Sequence, residues 1–370
     1  MASVKSKKVF KYVLIVFLAI LLVVMSYATY FVLGFKRVGN IALVAEAGTN
    51  KNTANVSKEY SLLSWNIGFG AYSSDYTFFM DGGESGRAKS EQAVKDNLNG
   101  MMDEVDKYKA SANGDKFDFI CFQEVDVFGT RSYGVNQKQI LRERYSSYFA
   151  TFAQNYDSPY IAIPLTDAHG KNQAGLLTLS DFSIKSAQRI ELPIEKGLMK
   201  FFDLDRCFAV NRIDLSNGKQ LVLINLHLSA YTSDGTIADD QIKIITALCK
   251  QEYEAGNYVI CAGDFNKDLL GNSAEVFGVS DENYSWSRSF NQELLAGSGM
   301  KVVAPTGPEG SAVPSCRCAD IPYEKGKSFV ITLDGFMVSE NVEVKSALVF
   351  DAEFKYSDHN PVMLKFALKK

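Results

Sequence analysis

The chain has 370 residues, 46% of them hydrophobic and 22% charged, and a formal charge of −4. This is enough apolar material for a sizeable core, and it excludes an intrinsically disordered protein. Residues 1–37 hold six Lys or Arg and no acid, which leaves a net −10 on the remainder and argues against an extensive basic groove for duplex nucleic acid.

Residues 1–11 form a basic segment with Lys5, Lys7, Lys8 and Lys11, and residues 12–35 contain no charge. That run is long enough to cross the ~30 Å hydrocarbon layer as a helix, which needs about 20 residues. A secretory leader has a shorter apolar region, roughly 7 to 15 residues, followed closely by small residues at the cleavage site. Here Lys36 and Arg37 follow, and Val44-Ala45-Glu46-Ala47 lies well downstream. The expectation is therefore an uncleaved single-pass helix at the plasma membrane, its lysine-rich amino end cytoplasmic and the rest of the chain outside. Residues 36–58 are small, polar and aperiodic, and read as a linker that holds the domain off the membrane.

From residue 59 to 370 short apolar runs recur: YSLLSWNIG, DFICFQEVD, GLLTLS, QLVLINLHLS, YVICAGDFN, FVITLDGFMVS and NPVMLKFAL. Their length and their richness in Val, Ile, Leu and Phe suit strands buried on both faces. Val94, Leu98, Met101, Val105 and Tyr108 form one helical stripe, and Ala238, Ile242, Ile245 and Cys249 another that stops before Gly256. Strands alternating with covering helices imply a layered α/β domain. The six cysteines are too sparse to carry the fold as disulfides. Cys121 and Cys261 sit in apolar runs as buried thiols would, and Cys316 and Cys318 lack two further ligands at zinc spacing.

The polar residues that end or interrupt these strands are Asn66, Glu124, His227, Asp264 with Asn266, Asp334, and Asp358 with His359. Singly each has a plain structural reading: a turn asparagine, a solvated rim glutamate, a core histidine, a turn before the last strand. Together they form one chemical set, and two of the chain's three histidines belong to it. A carboxylate at the end of a buried strand needs a partner, and a divalent cation, an imidazole or a substrate proton serves. Strand periodicity of two predicts that Asp264 and Asn266 face the same side.

The pieces SWNIG, FQEVD, NLHLS, AGDFN, LDGFMVS and SDHNPV, in that order across about residues 60–368, resemble the endonuclease/exonuclease/phosphatase superfamily of metal-dependent phosphoesterases. The resemblance implies a four-layer α/β sandwich of two mixed β-sheets flanked by helices, here preceded by the membrane helix. It implies Mg²⁺, with Mn²⁺ as a substitute, held by Glu124 with Asn66 and completed by Asp358. It further implies that Asp264 orients or deprotonates the attacking water, with Asn266 holding that water or a phosphate oxygen. His359 would give acid/base or electrostatic help with Asp334 as its partner, and His227 would donate to a nonbridging phosphate oxygen. The implied reaction is in-line attack of water on a phosphodiester of a nucleic acid or a lipid headgroup. Two alternatives remain at this stage: a phosphomonoesterase acting on inositol phosphates, and an inactive phosphate-binding surface protein. No protein partner is legible.

One position departs from the pattern, since several nucleases of the superfamily carry an acid where this chain has Gly68. Residues 72–90 are expected as a loop over the site. Guanidinium forks match phosphate, so Arg87, Arg131 and Arg317 are candidate substrate contacts, with Asn172 as a further cleft residue and His169 as a polar loop residue.

Overall fold

The computed structural model describes residues 2–112, 116–197, 200, 203–230, 236–284 and 286–369. In chain order the helices are α1 (Ala2–Gly34), α2 (Glu91–Tyr108), α3 (Gln137–Arg144), α4 (Thr236–Glu254) and α5 (Ser273–Phe277). The strands are β1 (Ile41–Leu43), β2 (Glu59–Asn66), β3 (Phe119–Gly129), β4 (Phe149–Asp157), β5 (Asn172–Ser180), β6 (Ser186–Glu191), β7 (Cys207–Asp214), β8 (Gln220–His227), β9 (Tyr258–Asp264), β10 (Met300–Val303), β11 (Cys316–Arg317), β12 (Val330–Ile331), β13 (Asp334–Ser339), β14 (Val342–Val349) and β15 (Val362–Leu368).

Two mixed sheets result. One runs β14-β15-β2-β3-β5-β4 and the other β1-β6-β7-β8-β9-β13-β10, with β11 and β12 as a separate ribbon. Each large sheet has one parallel pair at its centre, β2 with β3 and β8 with β9. Helix α2 connects the first pair and α4 the second, as parallel neighbours require a long crossover.

Side chains alternate between two apolar layers in the way the apolar runs predict. Leu62, Phe119, Ile260, Phe336 and Leu364 fill the space between the sheets. Leu63, Ile120 and Phe122 turn outward under Val94, Leu98, Met101 and Val105 of α2. Val222, Ile224 and Val259 do the same beneath Ile242, Ile245 and Cys249 of α4. The four-layer sandwich is complete, and truncating one of these fully buried aliphatics to Ala is expected to cost ~2–5 kcal/mol. Ser90 starts α2 by accepting the Ala93 N–H at 3.1 Å, a cap worth ~1 kcal/mol. All six cysteines are free and buried.

Helix α1 is long and apolar enough over Ser6–Gly34 to cross a membrane, and none of that stretch is buried in the protein. The segment expected to be a linker is not detached from the domain. Its Ile41–Leu43 pairs with β6, and Glu46 and Ala54 bridge to Ala150 and Leu215. The reason is polar as much as apolar. Buried Arg189 needs the Gly39 carbonyl at 3.0 Å, and buried Asp181 accepts from Asn50 and Asn52. Arg37 and Arg189 share Asp205, at 2.7 and 2.9 Å.

Candidate active site

Three adjacent strands end at the same place. The register sets His227 of β8 beside Asp264 of β9, and Asp264 beside Asp334 of β13. From the other sheet, β2 ends on Asn66, whose backbone carbonyl accepts the Ser357 Oγ proton at 2.8 Å. Ser357 Oγ also receives the His359 N–H at 3.2 Å, and Trp65 Nε1 donates to the His359 carbonyl at 2.8 Å. The segment 357–361 is thus clipped to the end of β2 and swings His359 over the strand ends.

Asp264 Oδ2 is the focus of the group. It accepts from Asn66 Nδ2 at 3.1 Å and lies 3.5 Å from His227 Nε2 and 3.7 Å from His359 Nε2. His359 Nδ1 meets Asp334 Oδ2 at 2.7 Å. All of these side chains are buried.

Burial pushes the Asp264 carboxyl up to about 7, with the Asp334 carboxylate adding to the rise and His359 opposing it. Burial alone would lower His359, but the Asp334 carboxylate, with Cys316 and Asp358 behind it, outweighs that cost and raises the imidazole well above its ordinary value. His227 moves the opposite way. Burial, the Arg206 charge, His359 and Arg131 all hold it neutral, well below the ordinary histidine value. Two imidazoles on either side of one carboxylate thus differ in charge, a separation of roles typical of acid/base sites.

Glu124 reaches the cleft through a break in regularity. It sits at φ 56, where the β3–β5 register shifts between Phe122 and Val125. A bulge of this kind re-aims one side chain at a cost in backbone strain. Its Oε1 is 3.3 Å from Asn66 Nδ2. Asp358 lines the same cleft; burial and the neighbouring Glu124 charge push it up to about 6, against the pull of His359.

Asn266 arrives by a route different from the expected one. The strand stops at Asp264, and Asn266 has φ 46. Its N–H caps Asp264 Oδ1 at 2.9 Å while its Nδ2 donates to the Leu228 carbonyl at 2.8 Å. Both residues line the cleft, but a left-handed turn puts them there and not the two-residue period of a strand.

A model of the "Endonuclease/Exonuclease/phosphatase family" matches residues 63–359. The chain belongs to the endonuclease/exonuclease/phosphatase family. It is an enzyme of that family's class, the metal-dependent phosphoester hydrolases. No curated protein matches it. Among solved structures it is similar to an endonuclease/exonuclease/phosphatase from Beutenbergia cavernae DSM 12333, at 15% identity over 84% of this chain and 72% of that one, TM-score 0.53. It is similar to the human nocturnin catalytic domain, at 18% identity over 85% and 94%, TM-score 0.53. ANGEL2, a 2′,3′-cyclic phosphatase, shows 16% identity over 89% and 99%, TM-score 0.52. At these identities the likeness is one of fold.

Of the expected phosphate-binding arginines in this phosphoesterase, only Arg131 lies in the cleft with a group turned to the carboxylates. Asp126 accepts from its Nε and Nη2, the latter at 2.8 Å, while Nη1 lies 4.0 Å from Glu124 Oε2. The guanidinium lies 4.0 Å from the centre of the Phe69 ring. Arg317 also lines the cleft, but its two terminal nitrogens donate to the carbonyls of Ser73, Tyr76, Cys318 and Ile321. These bonds tie the 72–90 loop down and leave the buried Arg317 Nε without a partner among the described residues. Arg87 is outside the cleft, paired with Asp167 at 2.8 Å. Asn172 is buried behind the cleft, where its Nδ2 serves the carbonyls of His169 and Gly170 and its Oδ1 accepts the Arg131 N–H.

Several cleft residues were not singled out for the site from sequence, His169 and Arg206 among them. His169, expected as a polar loop residue, is buried in the cleft wall against Phe69, Phe78 and Phe79. Arg206 precedes β7 and pairs with Asp203 at 2.7 Å, and its Nη1 finds no partner among the described residues. The signal was DLDR, an acid and a base three apart running straight into an apolar strand. Gly68 also becomes intelligible: a Cβ there would stand 2.6 Å from the Tyr72 ring and 2.8 Å from Asp358 Oδ1, at φ +48. Asp358 takes the space an acid at 68 would need.

Proposed function

We propose that this enzyme is a membrane-anchored phosphodiesterase, its domain outside the cytoplasm, that cleaves a phosphodiester of a nucleic acid or lipid headgroup by in-line attack of water. The observation that carries it is the convergence of Asn66, His227 and His359 on the single oxygen Asp264 Oδ2. The family generally uses a divalent metal. Here Asp264, Asp334 and His359 bring ligand atoms within 4.8 Å of one another. Because His359 Nδ1 is committed to Asp334, that trio reads better as proton-transfer machinery. Glu124 and Asp358, two mutually repelling carboxylates in the cleft with Asn66 beside them, fit a hard cation such as Mg²⁺ or Mn²⁺. When bound, such an ion neutralises charge developing on the phosphoryl oxygens.

The protein groups do the rest. Asp264, at about 7, is suited to take the proton of the attacking water at neutral pH. Asn266, beside it, holds that water or a phosphate oxygen. Protonated His359, kept so by Asp334, supplies positive charge and a proton toward the leaving oxygen. Neutral His227 and Arg131 offer N–H groups to nonbridging oxygens. The human nocturnin domain was solved with sulfate and ANGEL2 with adenosine-2′,3′-vanadate, which accords with a phosphate-like ligand for this enzyme.

The test uses the full chain in detergent with a dinucleotide, single-stranded DNA, RNA, sphingomyelin and an inositol phosphate monoester, each with and without Mg²⁺. Metal-dependent cleavage of one of the diesters, abolished in Asp264→Asn, is the expected result. Cleavage of the monoester alone would refute the diester reading.

A further inference from the structure

The loop between β4 and β5 connects the apolar helix α1 with the wall of the cleft. It reads Ser158-Pro-Tyr-Ile-Ala-Ile-Pro-Leu165. Leu165 is 89% exposed, Ile163 48% and Tyr160 42%, an apolar tip that a water-facing loop has no reason to carry.

The loop is docked on α1. Tyr27 Oη donates to the Tyr160 carbonyl at 2.8 Å and accepts the Ala162 N–H at 3.2 Å, while Tyr30 Oη accepts the Tyr160 N–H at 3.1 Å. A Cβ on Gly34, at the end of α1, would stand 3.2 Å from Pro159 Cβ. The tip satisfies much of the rest of its backbone internally. Ile161 and Gly170 exchange both N–H···O bonds, at 3.0 and 2.8 Å, and the carbonyls of Ile163 and Pro164 accept from His169 and Asp167 at 3.1 Å each. A segment with apolar side chains outward and its polar backbone paired meets the condition for entering a medium poor in hydrogen-bond partners. Tyrosines near one end of an apolar helix mark the depth where bilayer meets water.

We propose that residues 159–165 are a second membrane contact of this protein, seated in the interface of the bilayer that α1 crosses, with Ile163 and Leu165 inserted. This rests on reading α1 as a membrane span. Its consequence is positional: Asp167 binds the backbone N–H groups of Gly86 and Arg87 at 2.8 and 3.1 Å, and His169 forms cleft wall. The same short loop therefore fixes the cleft relative to the lipid surface.

The experiment places a tryptophan at two positions in the full chain, in phosphatidylcholine vesicles. Leu165→Trp reports on the loop and Val24→Trp on α1, each read against the unsubstituted chain. Leu165 is exposed, so the change does not touch the core. The expected result is blue-shifted emission at 165, with more than half of the added signal quenched by lipids carrying a nitroxide high on the acyl chain. Aqueous iodide should leave it largely intact, and the signal from 24 should be quenched by a mid-chain nitroxide. Quenching at 24 with iodide-accessible, red-shifted emission at 165 overturns the loop proposal alone. Absence of lipid quenching at both overturns the membrane span and the loop contact together.

Discussion

Replacing Asp334 by Asn removes one charge from the most tightly built part of the site while keeping its shape. His359 Nδ1 sits 2.7 Å from Asp334 Oδ2, and both side chains are buried. Burial by itself works against the charged imidazole, so the carboxylate is what keeps it protonated. A hydrogen bond to a charged group contributes ~1.5–3 kcal/mol, which alone is roughly 10- to 150-fold in rate. Loss of the proton also removes the general-acid contribution proposed for His359, which by itself is typically ~10²- to 10⁴-fold, so kcat is expected to fall at least ~10²-fold. The chain has three histidines, so the three imidazoles can be followed individually by NMR with labelled histidine. In the unsubstituted protein one imidazole should titrate above the ordinary histidine value, and two should stay neutral below it. In Asp334→Asn the high value should fall. The linkage has a definite sign: the folded His359 value is raised, so its stabilisation is present below the unfolded value of about 6.5 and is lost as pH rises through the folded value. A high-titrating histidine that survives Asp334→Asn, or kcat within a few-fold of normal, would refute the pairing.

Three further outcomes are expected. Glu124→Gln keeps the shape and loses the charge; since residues that merely support metal ligands cost roughly 10- to 100-fold in affinity, the divalent-ion concentration for half-maximal activity should rise at least tenfold, and an unchanged requirement removes Glu124 from the metal set. His169 is buried with its value lowered to about 3, by burial first and Arg131 second. A lowered histidine contributes stability present above about 6.5 and lost as pH falls toward 3, so the protein should lose about 2 kcal/mol more between pH 7 and pH 5 than His169→Gln does; parallel denaturation curves would contradict this. A chain starting at residue 58 should be less stable than one starting at 37, because it strips β1 from β6 and leaves Arg189 and Asp181 short of partners at ~1–3 kcal/mol each. Equal melting temperatures would show the 38–58 segment to be a passive tether.

The alternation that distinguishes Leu62 from Leu63, the stripes at 94–108 and 238–249, and the uncharged run at 12–35 are local periodicities. One sequence therefore suffices to read the layers, the covering helices and the apolar N-terminal helix. The polar residues that close the apolar runs are also local features, which is why Asn66, Glu124, His227, Asp264, Asp334 and His359 are legible as one set in the sequence. What each cleft side chain is free to do depends on neighbours far away in sequence. Arg131, Arg317 and Arg87 look alike in a loop, yet one turns a nitrogen toward Glu124, one is consumed by four backbone carbonyls, and one is paired with Asp167 outside the cleft. Three-residue β1 has too little pattern to announce itself, and joins the sheet only because the β6 edge, Arg189 and Asp181 need partners. The charge states follow the same division. That His227 is neutral follows first from its burial and then from the Arg206 charge, while His359 is charged because Asp334 stands against it and outweighs the same burial; desolvation and Coulomb forces act through space and not along the chain.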